Sequence, residues 1–252
     1  VSNWVLLRGL MREARHWGGF PAALGTEFPD AAVTALDLPG NGRLHLMPSP
    51  LRVEDMAEFC RQELLARGIW PPYHLLALSL GAMVAVAWAE RHPDELGGCV
   101  LINTSLRPFS PFHQRLKPRN YASLLAALMG GVALEQERLI LRLTSCHGDA
   151  QADVLDAWNA YRRECPVARR NALRQLIAAI RYRAPARKPA VPMLILASED
   201  DRLVDVRCSK RLASQWQTGL MLHPEAGHDL PLDDGPWVAR QIARWLQHGN
   251  HP

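Results

Sequence analysis

Short apolar runs alternate with longer amphipathic ones along most of this chain. Runs of three to five residues at 4–7, 32–36, 74–78, 99–102, 193–197 and 220–222 are nearly continuous in apolar side chains, the pattern of strands buried on both faces. Between them the apolar positions recur at helical spacing, which predicts helices near 16–24, 53–67, 80–91, 206–215 and 236–248. The last carries Trp237, Val238, Ile242, Trp245 and Leu246 on one stripe. Strands joined by crossover helices make a doubly wound α/β layer with a mostly parallel sheet.

The alternation stops after Ile102 and resumes at Met193. The intervening stretch breaks into helix-like pieces at 121–129, 135–143, 150–164 and 167–181, separated by Gly130-Gly131, Cys146-His147-Gly148 and Pro166. The expected organisation is therefore a core of 1–105 and 189–252 with a helical cap of 106–188 inserted into it. Charge follows the same division: residues 106–188 hold 15 Lys and Arg against 6 Asp and Glu, and the rest of the chain holds 14 against 19.

Composition narrows the class without naming a chemistry. At 252 residues, 48% apolar and 21% charged, the chain is long enough for one α/β domain with a large core. Its five cysteines are odd in number and scattered, which suits reduced thiols better than a disulfide framework or a zinc site. No apolar run reaches the roughly 18 residues of a membrane span, and Trp4-Val5-Leu6-Leu7 is not preceded by the blocks of a signal peptide. A cytoplasmic protein is expected.

The segment Leu75-Leu76-Ala77-Leu78-Ser79-Leu80-Gly81-Ala82-Met83 sets a serine between small residues where a strand pattern gives way to a helix. A strained strand-to-helix turn lifts a serine hydroxyl clear of the sheet, and it needs small residues two positions to either side. Ala77 and Gly81 meet that need, although the motif usually has glycine at both places. A serine that merely caps the helix starting at Leu80 fits the pentapeptide equally well. A nucleophile also needs a base and a carboxylate to orient that base. The carboxylate loop Ser198-Glu199-Asp200-Asp201-Arg202-Leu203-Val204 follows one predicted strand, and Gly227-His228 follows the next.

The order of these segments resembles the α/β-hydrolase fold superfamily, in particular its small, helically capped esterases, among them the pimeloyl-carrier-protein methyl esterases. The likeness spans nearly the whole chain and also includes Leu6-Leu7-Arg8-Gly9-Leu10 with Trp17, and Asp37-Leu38-Pro39-Gly40-Asn41-Gly42. It implies Ser79 as nucleophile, His228 as base and Asp201 as acid. Asp201 is preferred over Asp200 because it falls at the family's spacing from Ser198 and Val204. The backbone N–H groups of Leu10 and Leu80 would form the oxyanion hole. Arg8 replaces the family's usual histidine before Gly9, and either props that loop or holds a substrate carboxylate. Asp37 is read as a structural loop anchor. His16, His92, His223, His248 and His251 are read as bystanders, and His147 as a solvated turn.

The resemblance implies ester hydrolysis through an acyl-enzyme, with no metal or organic cofactor. Leu124, Leu125, Leu128, Met129, Leu139, Leu143 and Trp158 are available to wall an acyl pocket or to pack the cap. Arg138 and Arg142 share a helical face, and Arg162, Arg163, Arg169, Arg170 and Arg174 cluster further on. These arginines make either a solvated face or a dock for small anions or an acidic acyl carrier protein. Other readings of the same residues are a carrier-linked ester or thioester hydrolase, a lyase of the menaquinone-pathway type, and a receptor or scaffold without turnover. Nucleic acid is not expected, since the arginines lack interleaved aromatics.

Overall fold

The computed structural model describes residues 2–123, 125, 133–147 and 152–247. Among them, six strands form a single parallel sheet in the order β2-β1-β3-β4-β5-β6: β1 Asn3–Leu7, β2 Ala32–Leu36, β3 Tyr73–Leu78, β4 Leu96–Ile102, β5 Met193–Ser198 and β6 Gly219–His223. Each predicted strand is present, most of them longer by one to three residues.

Side-chain alternation divides the buried residues into two layers. Val5, Leu7, Leu75, Ala77, Cys99, Leu101 and Ile195 face α2 (Val53–Ala66), α3 (Leu80–Arg91) and α8 (Arg207–Trp216). Trp4, Leu6, Leu76, Val100, Leu194 and Leu196 face α1 (Phe20–Glu27) and α9 (Leu230–Gln247). Residues Leu80 to Ala89 of α3 are all buried, as expected of a helix apolar around its whole circumference.

Two helices differ from their predicted spans. The stretch 16–24 is a 3₁₀ turn, Ala14–Trp17, followed by α1, because Gly18 at φ +53° breaks the helical path and Pro21 starts a new one. The final helix begins at Leu230, before Pro236, and kinks at Asp234, whose carboxylate accepts the Trp237 N–H at 2.9 Å and caps the second leg. His248, His251 and the predicted end of that helix lie outside the described residues.

Among the described residues, β4 and β5 are joined by helices and short turns, α4 Phe112–Arg115, α5 Ala133–Thr144, α6 Ala152–Glu164 and α7 Arg169–Arg181, with one isolated bridge between Arg107 and Arg183. Most of the predicted helix 121–129, with Leu124, Leu128 and Met129, lies outside the described residues. No helix among those described is long and apolar enough to cross a membrane.

The strand order places a topological switch between β1 and β3, since the chain leaves β1 toward one side of the sheet and later builds on the other. Open α/β sheets bind ligands at the carboxyl ends of strands flanking such a switch. The segments that follow β1 and β3 here are Arg8-Gly9-Leu10 and Ser79-Leu80-Gly81. Their contact is very close: a Cβ added to Gly81 would lie 2.3 Å from the Leu7 carbonyl oxygen and 2.7 Å from that of Arg8. Both obstacles are backbone and cannot rotate aside. Gly81→Ala is expected to destabilise the fold by about 3 kcal/mol, at the upper end of overpacking costs, measured as a lower urea midpoint at unchanged m-value.

Candidate active site

Ser79 occupies the sharp turn between β3 and α3 with φ +56° and ψ −112°, outside the regions that non-glycine residues favour. Its N–H donates to the Ile102 carbonyl at 3.0 Å, while its carbonyl accepts the Ala82 N–H at 3.1 Å. Its side chain makes no capping hydrogen bond to the helix, so the capping alternative does not describe this serine. Gly9 lies against it, with space for a Cβ only 3.3 Å from the Ser79 Cβ.

His228 is buried in the loop after β6, and its Nδ1 is 2.7 Å from Asp201 Oδ2. The other Asp201 oxygen, Oδ1, accepts the N–H groups of Leu203 at 2.7 Å and Val204 at 2.9 Å, which fixes the carboxylate in its loop. Asp200 and Glu199 are exposed, and Asp205 pairs with Arg207, so among the loop carboxylates it is Asp201 that meets the histidine. Burial draws the imidazole pKa down. The charge and hydrogen bond of Asp201, helped by Asp229 and opposed by Arg8, more than offset this and leave it above the usual value of 6.5.

Leu10 and Leu80 line the same cavity as Ser79 and His228. Neither backbone N–H donates to another group among the described residues. Arg8 is nearly inaccessible, with Nη1 donating to Asp229 Oδ1 at 2.9 Å and Nη2 to Asp229 Oδ2 at 2.5 Å. Its guanidinium also lies 4.9 Å from the centre of the Trp17 ring. Both Nη groups are thus engaged by the residue next to His228, which corresponds to the loop-propping role, while Nε has no hydrogen-bond partner. Asp37 holds two loops, accepting the N–H groups of Ala14 at 2.7 Å and Arg43 at 3.0 Å.

The cavity measures about 190 Å³ and is walled mainly by apolar side chains, including Met83 of α3, Val204 of the loop after β5, and Phe112, Leu139, Leu143 and Leu176 from the helices between β4 and β5. Two expectations for these helices need correction. Arg138 and Arg142 are exposed and do not line the cavity, because α5 turns Leu139 and Leu143 inward instead. Leu125 is 57% exposed and does not line the cavity, whereas Trp158 takes the packing alternative, 4.3 Å from the Arg12 guanidinium. His16 is a buried core histidine, edge-on to Trp158 and Tyr161. His147 is exposed, as a turn residue should be.

Two supporting residues escaped the sequence reading. Asn103, at φ +45° just past β4, donates through Nδ2 to the His228 carbonyl at 2.8 Å and accepts the Ser198 N–H at 2.8 Å, joining the acid and histidine loops. An asparagine at a strand end, where left-handed backbone is tolerated, was the available signal. Asp233 accepts the N–H groups of Gly227 at 2.7 Å and Cys146 at 3.0 Å, tying the histidine loop to the segment after α5. No three His, Cys, Asp or Glu side chains gather as metal ligands among the described residues.

Similarity to known proteins agrees with this architecture. A protein of Caulobacter segnis named as a candidate carbamate hydrolase, RutD, is 29% identical over 219 residues, 84% of this chain and 78% of that one. The biotin biosynthesis bifunctional protein BioHC of Teredinibacter turnerae is 33% identical over 105 residues, 41% of this chain but only 17% of that longer protein. The enol-lactonase from Burkholderia xenovorans superposes with a TM-score of 0.80 at 17% identity, covering 98% of this chain and 92% of the other, which shows a shared fold. The hydrolase family described as serine aminopeptidase, S33, matches residues 12–235. The chain accordingly belongs to that family within the α/β-hydrolases.

Proposed function

We propose that this protein is a serine hydrolase that cleaves carboxylic esters through an acyl-enzyme. The observation that carries the reading is the buried His228–Asp201 pair, 2.7 Å apart, opening on the cavity that also receives the strained Ser79. His228 accepts the Ser79 proton as Oγ attacks the ester carbonyl, while Asp201 orients the ring and stabilises the imidazolium. The N–H groups of Leu10 and Leu80 stabilise the tetrahedral oxyanion. His228 then protonates the leaving alcohol, and water attacks the acyl-enzyme by the same route in reverse.

The segment 106–188 acts as a cap that supplies the apolar wall. A cavity of about 190 Å³ is below the roughly 300–1,000 Å³ of sites for drug-sized ligands, which favours a compact acyl group. The similarity to the candidate carbamate hydrolase supports a carbamate as a second substrate class, attacked by the same machinery. The exposed Arg163, Arg169 and Arg170 on the cap, with the partial similarity to BioHC, support docking of an acyl carrier protein as a route for a carrier-linked substrate.

Short-chain p-nitrophenyl esters are expected to give a burst of p-nitrophenol followed by steady turnover. A fluorophosphonate probe is expected to label the Ser79 peptide, detected by mass spectrometry, and to leave Ser79→Ala protein unlabelled. Folded protein that neither turns over these esters nor takes the probe would point to the lyase or receptor readings. Competition by excess acyl carrier protein tests the docking role.

A further inference from the structure

The cavity that holds Ser79 has an apolar mouth. Phe112 of α4 and Ile180 of α7 both line it and are still 48% and 38% exposed, which puts them where it opens. The apolar surface continues outward from each of them. On one side the Tyr121 ring lies 5.8 Å from that of Phe112, and the exposed Leu125 follows one helical turn later. On the other side Leu173, Leu176 and Ile180 succeed one another at spacings of three and four on α7, with Leu176 against the cavity and Leu173 52% exposed. Large apolar side chains gathered on a surface in this way mark a face that is covered in use.

The charge around this rim has one sign. Residues 106–125 and 167–198, which carry the whole rim, hold eleven Lys and Arg and no Asp or Glu. By sequence, no charged residue occurs in 121–134 either, so cations flank the apolar stretch rather than interrupt it. Arg119 stands two residues before Tyr121, Arg170 three before Leu173 and Arg181 next to Ile180, while an isolated backbone bridge joins Arg107 to Arg183. All five arginines are exposed, and none pairs with a carboxylate among the described residues.

From an apolar rim at the cavity mouth, framed by these cations, we propose that this face docks on an anionic phospholipid surface. The rim side chains enter the acyl-chain boundary and the arginines meet the phosphates, the two components of interfacial binding. A lipid surface is favoured over an acidic protein because the rim comes from both walls of the entrance: fluid lipid covers both and leaves the way to Ser79 open. The docking does not depend on turnover. Joined to the esterase reading, on which this part rests, it names the substrate class. That class is an ester held in the lipid phase, with a compact half in the cavity and a longer apolar half between Phe112 and Ile180.

Cosedimentation with vesicles tests the docking. Wild-type protein is expected to bind vesicles of equal parts phosphatidylglycerol and phosphatidylcholine about tenfold more tightly than vesicles of phosphatidylcholine alone, with the preference fading at high salt. Leu125→Ser combined with Leu173→Ser is expected to weaken binding to both by about tenfold. Arg181→Glu combined with Arg183→Glu is expected to abolish the preference for anionic vesicles. Hydrolysis of dodecyl acetate carried in the anionic vesicles is expected to fall about tenfold in each double variant, in step with binding. Dissolved p-nitrophenyl acetate should still be cleaved at the wild-type rate, because none of the four residues lines the cavity. Wild-type protein that cleaves p-nitrophenyl acetate but does not sediment with vesicles, or sediments equally with both, overturns the docking and leaves the hydrolase reading intact. Charge-selective sedimentation without turnover of any ester supports the docking and sinks the esterase reading. Binding of acyl carrier protein that the same variants lose, with no vesicle binding, overturns the lipid assignment and gives the face to an acidic protein.

Discussion

Ser79→Ala is expected to lower kcat for the best ester by about six orders of magnitude, and Asp201→Asn by about four, in line with the loss of a nucleophile and of a base-orienting carboxylate in serine hydrolases. The difference follows from what each side chain touches. Without the Ser79 hydroxyl no acyl-enzyme forms, and only binding and the oxyanion donors remain. With asparagine at 201, the group facing His228 Nδ1 at 2.7 Å can present an amide N–H instead of an acceptor, which turns the imidazole into the wrong tautomer. The double variant should be no slower than Ser79→Ala alone, because the residues act as a unit. Steady-state kinetics with circular dichroism as a folding control checks all three. An Asp201→Asn protein within tenfold of wild type would move the acid role elsewhere.

Breaking the Arg8–Asp229 pair is expected to have two effects at once. Arg8→Met leaves the Asp229 carboxylate, only 3% exposed, without its partner, and loss of one member of a buried pair costs about 3–5 kcal/mol. For a chain of this size that lowers Tm by roughly 10 °C. The second effect is on His228, which in the proposed mechanism must be neutral to accept the serine proton. The charged groups around it are Asp201, Asp229 and Arg8, with Lys117 on the Asp201 carbonyl and Asp233 behind Gly227. With Arg8 gone and Asp229 retained, the imidazolium is favoured and the acid limb of kcat/KM moves to higher pH. With Asp229→Asn and Arg8 retained, the net charge nearby becomes more positive and the limb moves to lower pH. Arg8→Met combined with Asp229→Asn should bring the limb back toward that of wild type, which itself should lie above the ordinary imidazole value because the His228 pKa is raised. Shifts of the same sign in both single variants would reduce the pair to a mechanical prop.

The legibility of the fold came from burial on both faces of the sheet. Strands such as 193–197, whose neighbours cover them above and below, are apolar without a gap and stand out from any surrounding helix. The candidate site was legible where backbone geometry restricts residue type. Gly81 is forced by two carbonyl oxygens under 3 Å from its would-be Cβ, while Gly9 is only tightly placed against the Ser79 Cβ at 3.3 Å. The resemblance to the family's loop favoured Asp201 over Asp200, and the structure gives the physical distinction: one is buried against His228, the other exposed.

Helical periodicity was a poorer guide to direction. Arg138 and Arg142 and the inward Leu139 and Leu143 lie one residue apart on α5, and only the position of the core under that helix decides which pair meets the cavity. The resemblance gave Arg8 two possible roles, and the support for the loop-propping one required Asp229, which is 221 residues away in sequence and reaches it only through the folded sheet.

The sequence by itself determined the parallel α/β layer, the order of its strands along the chain, the interruption by helices and the close-packed turn at Ser79, because periodicity and tight turns constrain local residue type, while its resemblance to the α/β-hydrolases named Asp201 and His228 as the residues to examine. Only the tertiary structure decided how the ion pairs are distributed and that Asn103 and Asp233 join the loops around His228. Those features depend on side chains from distant segments meeting at the strand ends, and a local pattern carries no record of such meetings.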